Sequence, residues 1–264
     1  MELNKVYLGD ANELIKLVPD NSIACIYTDI PYLYQMGGGG SSDVALRIRK
    51  NADRLEQAEI DKGIDYDIFN EFVRVMKKIN CFIWCSKMQI FDIHNWFENW
   101  AKEKGKNIFF EILVWCKNNP TPATNNTWLP DTEYCLYIRE SGVKLNDGYD
   151  HKHKWYASGL NVIDKNDFGH PTCKPLECCI KHIEHVCRVG DTVLDPYAGS
   201  GTSLVAAKQL GLNYIGFEIN PEYHKIAMDR LSGFNQRGEM DLLNFHFDDN
   251  GGCEQLDLFG EEDK

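Results

Sequence analysis

The chain has 264 residues, a formal net charge of −12 and a hydrophobic content of 43%, which suits one large α/β domain and is too short for two ordinary domains with linkers. Its opening, MELNKVYLGD, has no basic flank ahead of an apolar core, and no apolar run reaches the length of a membrane span, so a soluble, cytoplasmic protein without a membrane partner is expected. The negative charge argues against a nucleic-acid partner only until it is located. Residues 239–264 hold nine acids against Lys264 alone, leaving −4 on the remainder, and so nearly neutral a body can present a basic face.

In chain order, Val6 to Gly9 predict a short strand running into Asp10, then a helix through Leu17 and a turn at Pro19–Ser22. Ile23 to Tyr27 is a fully apolar strand of the kind buried in a parallel sheet, and it delivers Thr28-Asp29-Ile30-Pro31-Tyr32 at its C-terminal end, where ligands sit in such sheets. Residues 37–62 are glycine-rich, then charged, with Arg47, Arg49, Lys50 and Arg54 close together. They read as a mobile loop, either a solvated insertion or one that closes over substrate and touches phosphates. A helix over Asp67–Ile79, a strand over Cys81–Cys85, a helix over Met88–Lys104 and a strand over Ile108–Trp115 follow. The turn-rich 118–130 leads to an alternating strand, Glu133–Ile138, expected near a sheet edge. Residues 140–169 have little periodicity but interleave Lys144, Lys152 and Lys154 with Trp155 and Tyr156, as either a nucleic-acid contact surface or an ordinary long loop. His170 to Pro175 open a helix to Val186, and Asn220 caps a final helix with Pro221 at its first position. Beyond Gly238 the composition predicts a flexible acidic tail to residue 264.

Val193 to Glu218 form the organising stretch: strand, glycine-rich turn, helix over Thr202–Leu210, and second strand. Gly199 and Gly201 let backbone approach a ligand, and Glu218, 23 positions after Asp195, stands where a carboxylate accepts from ribose hydroxyls. The run Asp195-Pro196-Tyr197-Ala198-Gly199-Ser200-Gly201-Thr202 lacks the third glycine of a pyrophosphate fingerprint. It resembles the cofactor motif D-P-F-x-G-x-G-T of the S-adenosylmethionine-dependent amino methyltransferases of DNA. Another Rossmann-like nucleotide binder fits the same residues.

Thr28-Asp29-Ile30-Pro31-Tyr32 resembles the catalytic D-P-P-Y motif of that family, with Ile30 in place of the first proline. An exocyclic amine on a base is a poor nucleophile because its lone pair is delocalised, so both amino hydrogens must be held and the nitrogen aimed at the methyl group. The resemblance implies that Asp29 accepts one hydrogen and the Ile30 carbonyl the other, that Pro31 fixes the turn, and that Tyr32 stacks on a base extruded from the duplex. A carbonyl does not depend on its side chain, so Ile30 can serve. A plain turn after a buried strand is the other reading.

His170-Pro171-Thr172-Cys173-Lys174-Pro175 resembles the H-P-T-x-K-P motif, which in the family lies against the methionine part of the cofactor and so implicates Thr172 and Lys174. Trp115-Cys116-Lys117-Asn118 resembles the family's loop near the target base. Asp10 matches the position that meets the adenine of the cofactor. No metal is expected: His170, Cys173, Cys178, Cys179, His182, His185 and Cys187 crowd together, but they make no paired CxxC units and helical spacing accounts for most as packed residues. The other cysteines, with Cys25, Cys81, Cys85 and Cys135 at strand-like positions, are expected to be reduced core residues.

The catalytic motif precedes the cofactor motif, as in the circularly permuted β class of these enzymes. The resemblance spans about residues 3–232 and implies a Rossmann-like methyltransferase fold over residues 1–238: a mostly parallel, twisted sheet with helices on both faces, circularly permuted. It further implies a site-specific DNA methyltransferase that uses S-adenosylmethionine on double-stranded DNA, of a kind found in restriction-modification, with Asp10, Thr172, Lys174, Asp195, Tyr197, Gly199, Gly201, Thr202 and Glu218 around the cofactor. Arg47, Arg49, Lys117, Lys152 and Lys154 are the candidate DNA contacts. The leading aspartate favours adenine N6 over cytosine N4; a cofactor-binding regulator without catalysis is the alternative from another class. Homodimers are common in the family. In the tail, Gln255, Leu256, Leu258 and Phe259 resemble the Q-L-x-L-F peptide by which bacterial proteins dock on the sliding clamp, an extended segment suited to a hydrophobic pocket, unless it folds back on the domain.

Overall fold

The computed structural model describes residues 1–33, 63–120, 128–146, 152–159 and 174–233, with the backbone of residues 246–247 and 253–254. Eight strands build one sheet: β1 (Lys5–Leu8), β2 (Cys25–Asp29), β3 (Asn80–Cys85), β4 (Ile108–Lys117), β5 (Thr132–Glu140), β6 (Trp155–Ser158), β7 (Thr192–Asp195) and β8 (Asn213–Glu218). Around them pack α1 (Ala11–Leu14), α2 (Ile68–Val75), α3 (Ile90–Lys104), α4 (Leu176–Val186), α5 (Thr202–Gln209) and α6 (Pro221–Ser232). The sheet order is β1-β8-β7-β2-β3-β5-β4-β6, with β5 antiparallel to both its neighbours and every other pairing parallel.

Strand alternation sorts the core onto two faces. Cys25 and Tyr27 of β2 face a cluster with Cys178 and Ile183 of α4, Leu204 of α5 and Ala227 of α6. Ile26 faces the opposite cluster, with Ile15, Phe69 and Phe72 of α2, and Ile93 and Phe97 of α3. The apolar spacing of α2, Ile68, Phe69, Phe72 and Val75, all buried, is what seats it on that face, and each such side chain contributes roughly 2 kcal/mol by leaving water.

Three sequence expectations change. The helix expected over Asp67–Ile79 ends at Val75, because Met76 turns extended and bridges Ile23 in parallel, its amide still bonded to the Phe72 carbonyl. β5 is not near an edge: β4 and β6 lie outside it. Residues 140–169, read as unperiodic, supply that edge through β6, whose four residues pair with Val114–Lys117. Loop 37–62 and the peptide Gln255–Phe259 lie outside the described residues, and within the acidic tail the backbone of β9 (His246–Phe247) pairs antiparallel with β10 (Cys253–Glu254). No helix of the described residues is long and apolar enough to cross a membrane.

Candidate active site

The strand order brings together what the chain separates. β2 and β7 are parallel neighbours, with Ile26 beside Leu194, so Asp29 and the turn opening at Asp195 leave the sheet at the same C-terminal edge. β8 and β1 extend that edge, placing Glu218 beside Leu8, and the Gly9 amide donates to the Glu218 carbonyl at 2.9 Å. Asp29 and Asp195 are close enough for the first to push the second upward in pKa, and Asp10 does the same to the Tyr197 hydroxyl.

On the β7 side, Gly199 and Gly201 take φ of 51° and 75°, left-handed values that a side chain would strain. A Cβ on Gly201 would stand 3.0 Å from the Cβ of Ala227, so the glycine also lets α6 close on the turn. Glu218 ties the turn from β8: one carboxylate oxygen accepts from the Gly199 amide and the other from the Asn220 amide, each at 2.8 Å. Burial raises the Glu218 carboxyl while these amides pull it back. Asp195 accepts from the Ser203 hydroxyl and, at 3.1 Å, from the Tyr197 amide, yet burial pushes it up to about 7. The buried hydroxyl of Thr28, the residue next to Asp29, has no hydrogen-bond partner among the described residues. Behind the turn, buried Arg230 donates to the Ser200 carbonyl at 2.9 Å and to the Thr202 hydroxyl at 2.8 Å.

On the β2 side, charge replaces glycine. Lys174, at the entrance to α4, places its ammonium 2.5 Å from Asp29 Oδ2, 3.1 Å from Glu133 Oε2 and 3.2 Å from the Tyr32 hydroxyl. Lys117 meets the other Glu133 oxygen at 2.6 Å. Burial works against charge on Asp29, Glu133 and Lys174, but Glu133 has two ammoniums and is driven down to about 2, and its pull together with that of Asp29 raises Lys174. Asp29 has one ammonium, lies beside Glu133, and is raised by burial on balance. Its side chain remains 30% exposed. Its second oxygen, Oδ1, is shielded from solvent and has no donor among the described residues, so one hydrogen bond to this carboxylate is still to be made.

The scaffold beneath is dry and locked. Trp84, beside Asp29 in the β2–β3 ladder, donates from its indole to the Tyr27 hydroxyl at 3.0 Å, which in turn lies 3.2 Å from His182 Nδ1. Burial lowers His182 to about 3, so it is neutral, and Phe82 stacks flat on it with ring centres 5.1 Å apart. Ile30 is buried in the opposite core cluster, which accommodates the residue standing where the motif has proline. Gln89, also buried, accepts from the Ser86 and Leu33 amides and donates to the Pro31 carbonyl at 3.0 Å, stitching the turn after β2 to the end of β3.

Of the residues singled out in the sequence, Asp29, Ile30, Pro31, Tyr32, Lys174, Asp195, Tyr197, Gly199, Gly201, Thr202, Glu218 and Asp10 share this sheet edge. Asp10 accepts from the Asn12 amide at 2.8 Å as the cap of α1. Lys117 turns inward to Glu133, Lys154 pairs with Glu111, and Lys152 is exposed. Thr172, Arg47 and Arg49 lie outside the described residues. Sequence reading passed over Glu133, Gln89 and Arg230. Glu133 had a signal: strand alternation puts it in phase with buried Cys135 and Tyr137, an acid on an inward face. Among the described residues eight cysteines are free thiols, seven of them buried, and no group of His, Cys, Asp and Glu could hold a metal. A cavity of about 290 Å³ lined by Lys77, Lys144 and Arg188 opens instead where β2 and β3 begin.

Residues 23–229 match the N6/N4 amino-methyltransferase family described as DNA methylase. The chain is 28% identical over 256 residues to the type II methyltransferase M2.DpnII of Streptococcus pneumoniae, covering 88% of this chain and 92% of that one. It is equally similar, 28% over 261 residues, to M.HinfI of Haemophilus influenzae, covering 87% and 68%. Among solved structures, M1.HpyAVI in complex with SAM superposes with a TM-score of 0.61 at 24% identity, covering 86% of this chain and 98% of that one. The cytosine-N4-specific PvuII DNA methyltransferase does so with 0.60 at 17%, covering 87% and 86%. Both structures share the Rossmann-like methyltransferase fold described above.

Proposed function

Because the chain belongs to the N6/N4 DNA methylase family, we propose that it transfers a methyl group from S-adenosylmethionine to adenine N6 of a base turned out of a specific site in double-stranded DNA. The observation that carries this reading is Asp29: a carboxylate at the C-terminal sheet edge, gripped on one oxygen by Lys174 and left without a donor on the other, beside a glycine turn. Bound S-adenosylmethionine would supply an electrophilic methyl group. The two positive-φ glycines, Glu218 and Asp10 supply close backbone approach and carboxylate acceptors on the side of β7, β8 and β1, an acceptor set that suits a nucleoside with ribose hydroxyls. The order of the two turns in the chain, catalytic before cofactor, supports the circularly permuted class.

The remaining work falls to the chain's own residues. Asp29 Oδ1 and the Ile30 carbonyl each accept one amino hydrogen, which turns the nitrogen lone pair out of the ring plane and toward the methyl group. The Tyr32 ring offers a face for the extruded base, whose target nitrogen is out of reach in a stacked duplex. The aspartate leading the turn supports adenine over cytosine. Incubation with labelled methyl donor and unmethylated DNA, followed by nucleoside mass spectrometry, should yield N6-methyladenine. N4-methylcytosine would move the assignment to the other base, and cofactor binding without incorporation would end the enzymatic reading.

A further inference from the structure

Glu133 has no part in the chemistry above, yet the charges of the catalytic turn converge on it. An ammonium has three N–H donors, and those of Lys174 have three acceptors: Asp29 Oδ2 at 2.5 Å, Glu133 Oε2 at 3.1 Å and the Tyr32 hydroxyl at 3.2 Å. Accepting from Lys174 leaves the Tyr32 hydroxyl its own proton, for which Glu133 Oε2, 3.4 Å away, and the Asp29 carboxylate are both acceptors. Lys174, Tyr32 and Glu133 thus close a ring, with Asp29 attached to it through the ammonium and the phenol. Lys117 anchors the ring from outside, 2.6 Å from Glu133 Oε1. Two ammoniums and two carboxylates sum to zero, so the group can stay largely buried without an uncompensated charge.

Resting on the methyl-transfer reading, we propose that Glu133 is a positioning residue: it holds Tyr32 and, through Lys174, Asp29 in their working arrangement before DNA arrives, touching neither base nor cofactor itself. Strand geometry supports this, since Trp115 of β4 pairs with Glu133, and Trp84 of β3 pairs with both Asp29 and Cys135. Glu133 is thus delivered by a rigid ladder, whereas Lys174 and Tyr32 stand outside the regular elements. A long lysine side chain offered only one carboxylate could swing; held between two carboxylates and a phenol, it has one place to sit.

The test is Glu133→Gln in the full-length chain. We expect kcat to fall by roughly 10- to 100-fold, as for a misplacement of about 1 Å, with S-adenosylmethionine affinity within about twofold of wild type, since the glycine turn is untouched. Glu133→Asp, which keeps the charge but shortens the reach, should recover part of the loss. The acid limb of kcat should also move to lower pH. The groups facing Asp29 are Lys174, Glu133, Tyr32, Cys85 of β3, Cys135 of β5 and Asp195 of β7, and Glu133 raises Asp29, so neutralising it makes Asp29 easier to ionise. A carboxyl 13C NMR titration of Asp29 in the protein without DNA should show the same downward move. Wild-type kcat in Glu133→Gln, or an Asp29 titration that does not shift, overturns the proposal. If the wild-type chain methylates no DNA, the methyl-transfer reading fails, while the Asp29 titration still decides whether Glu133 holds the turn. Should Gln at 133 prevent folding, Lys117→Gln reaches the device from outside: kcat should fall several-fold, and the acid limb should move to higher pH because a cation is lost; no change in either would count against Glu133.

Discussion

Two turns leave the same sheet edge and are built on opposite principles. The turn after β7 is held through its own backbone groups: positive-φ glycines, the Gly199 amide bound to Glu218, and the Ser200 carbonyl bound to Arg230 from behind. The turn after β2 is held by side-chain charge, with Lys174 and Glu133 steering an aspartate that keeps one acceptor unpaired. Backbone donors suit a site that must present one fixed shape to a cofactor. A charged ring around an unsatisfied carboxylate suits a site whose last hydrogen bond comes from a visiting substrate.

The contrast predicts that damage to one turn should spare the work of the other. Asp29→Ala should lower kcat by roughly 10³-fold or more, about 4 kcal/mol of transition-state stabilisation, while isothermal titration finds S-adenosylmethionine affinity within about twofold of wild type; an equal loss of both would dissolve the distinction. Lys174→Met strands two carboxylates with only Lys117 beside them, and urea unfolding should register a loss of about 3 kcal/mol. Gly201→Ala should cost about 2 kcal/mol through its left-handed φ and the contact with Ala227. It should weaken S-adenosylmethionine binding while leaving the Asp29 titration in place.

The β7 turn also has its own pH signature. An unfolded aspartate titrates near 3.9, whereas Asp195 in the fold is pushed up to about 7. Between these values the folded state binds the extra proton, so the group's destabilising effect is absent below about pH 4 and complete above about pH 7. Asp195→Asn should remove that slope, so that wild-type stability falls relative to the variant by about 2 kcal/mol between pH 5 and pH 7.5, followed by melting temperature. The smallest effect belongs to Gln89→Ala, which unties Pro31 and Leu33 from Ser86 and should lower kcat roughly fivefold, about 1 kcal/mol, with cofactor affinity unchanged.

Much of this architecture was legible in the chain itself. The apolar strand read at Ile23–Tyr27 and found at Cys25–Asp29, the amphipathic spacing of α2, the cap formed by Asn220 and Pro221, and the glycines of the β7 turn are local features, written in residue type and spacing over a few positions. Local periodicity could not say where α2 ends, because Met76 is drawn into extended backbone by Ile23, more than fifty residues earlier. It could not say that the strand from Thr132 sits inside the sheet, because that depends on its pairing with Asn80–Cys85 on one side and with Ile108–Cys116 on the other.

The same division runs through the site. Residue types, their place at strand ends and the motif resemblance were enough to nominate Asp29, Gly199, Gly201 and Glu218, since an amine-holding carboxylate and a close backbone approach each demand a particular side chain or its absence. Which groups answer one another was decided only in three dimensions. Lys174 was read as a cofactor contact and Lys117 as a DNA contact; that both ammoniums converge on Glu133 was marked by no motif. An ion pair forms between whichever opposite charges the fold brings within a few ångströms, and that distance is a property of strand order, which no short stretch of residues encodes.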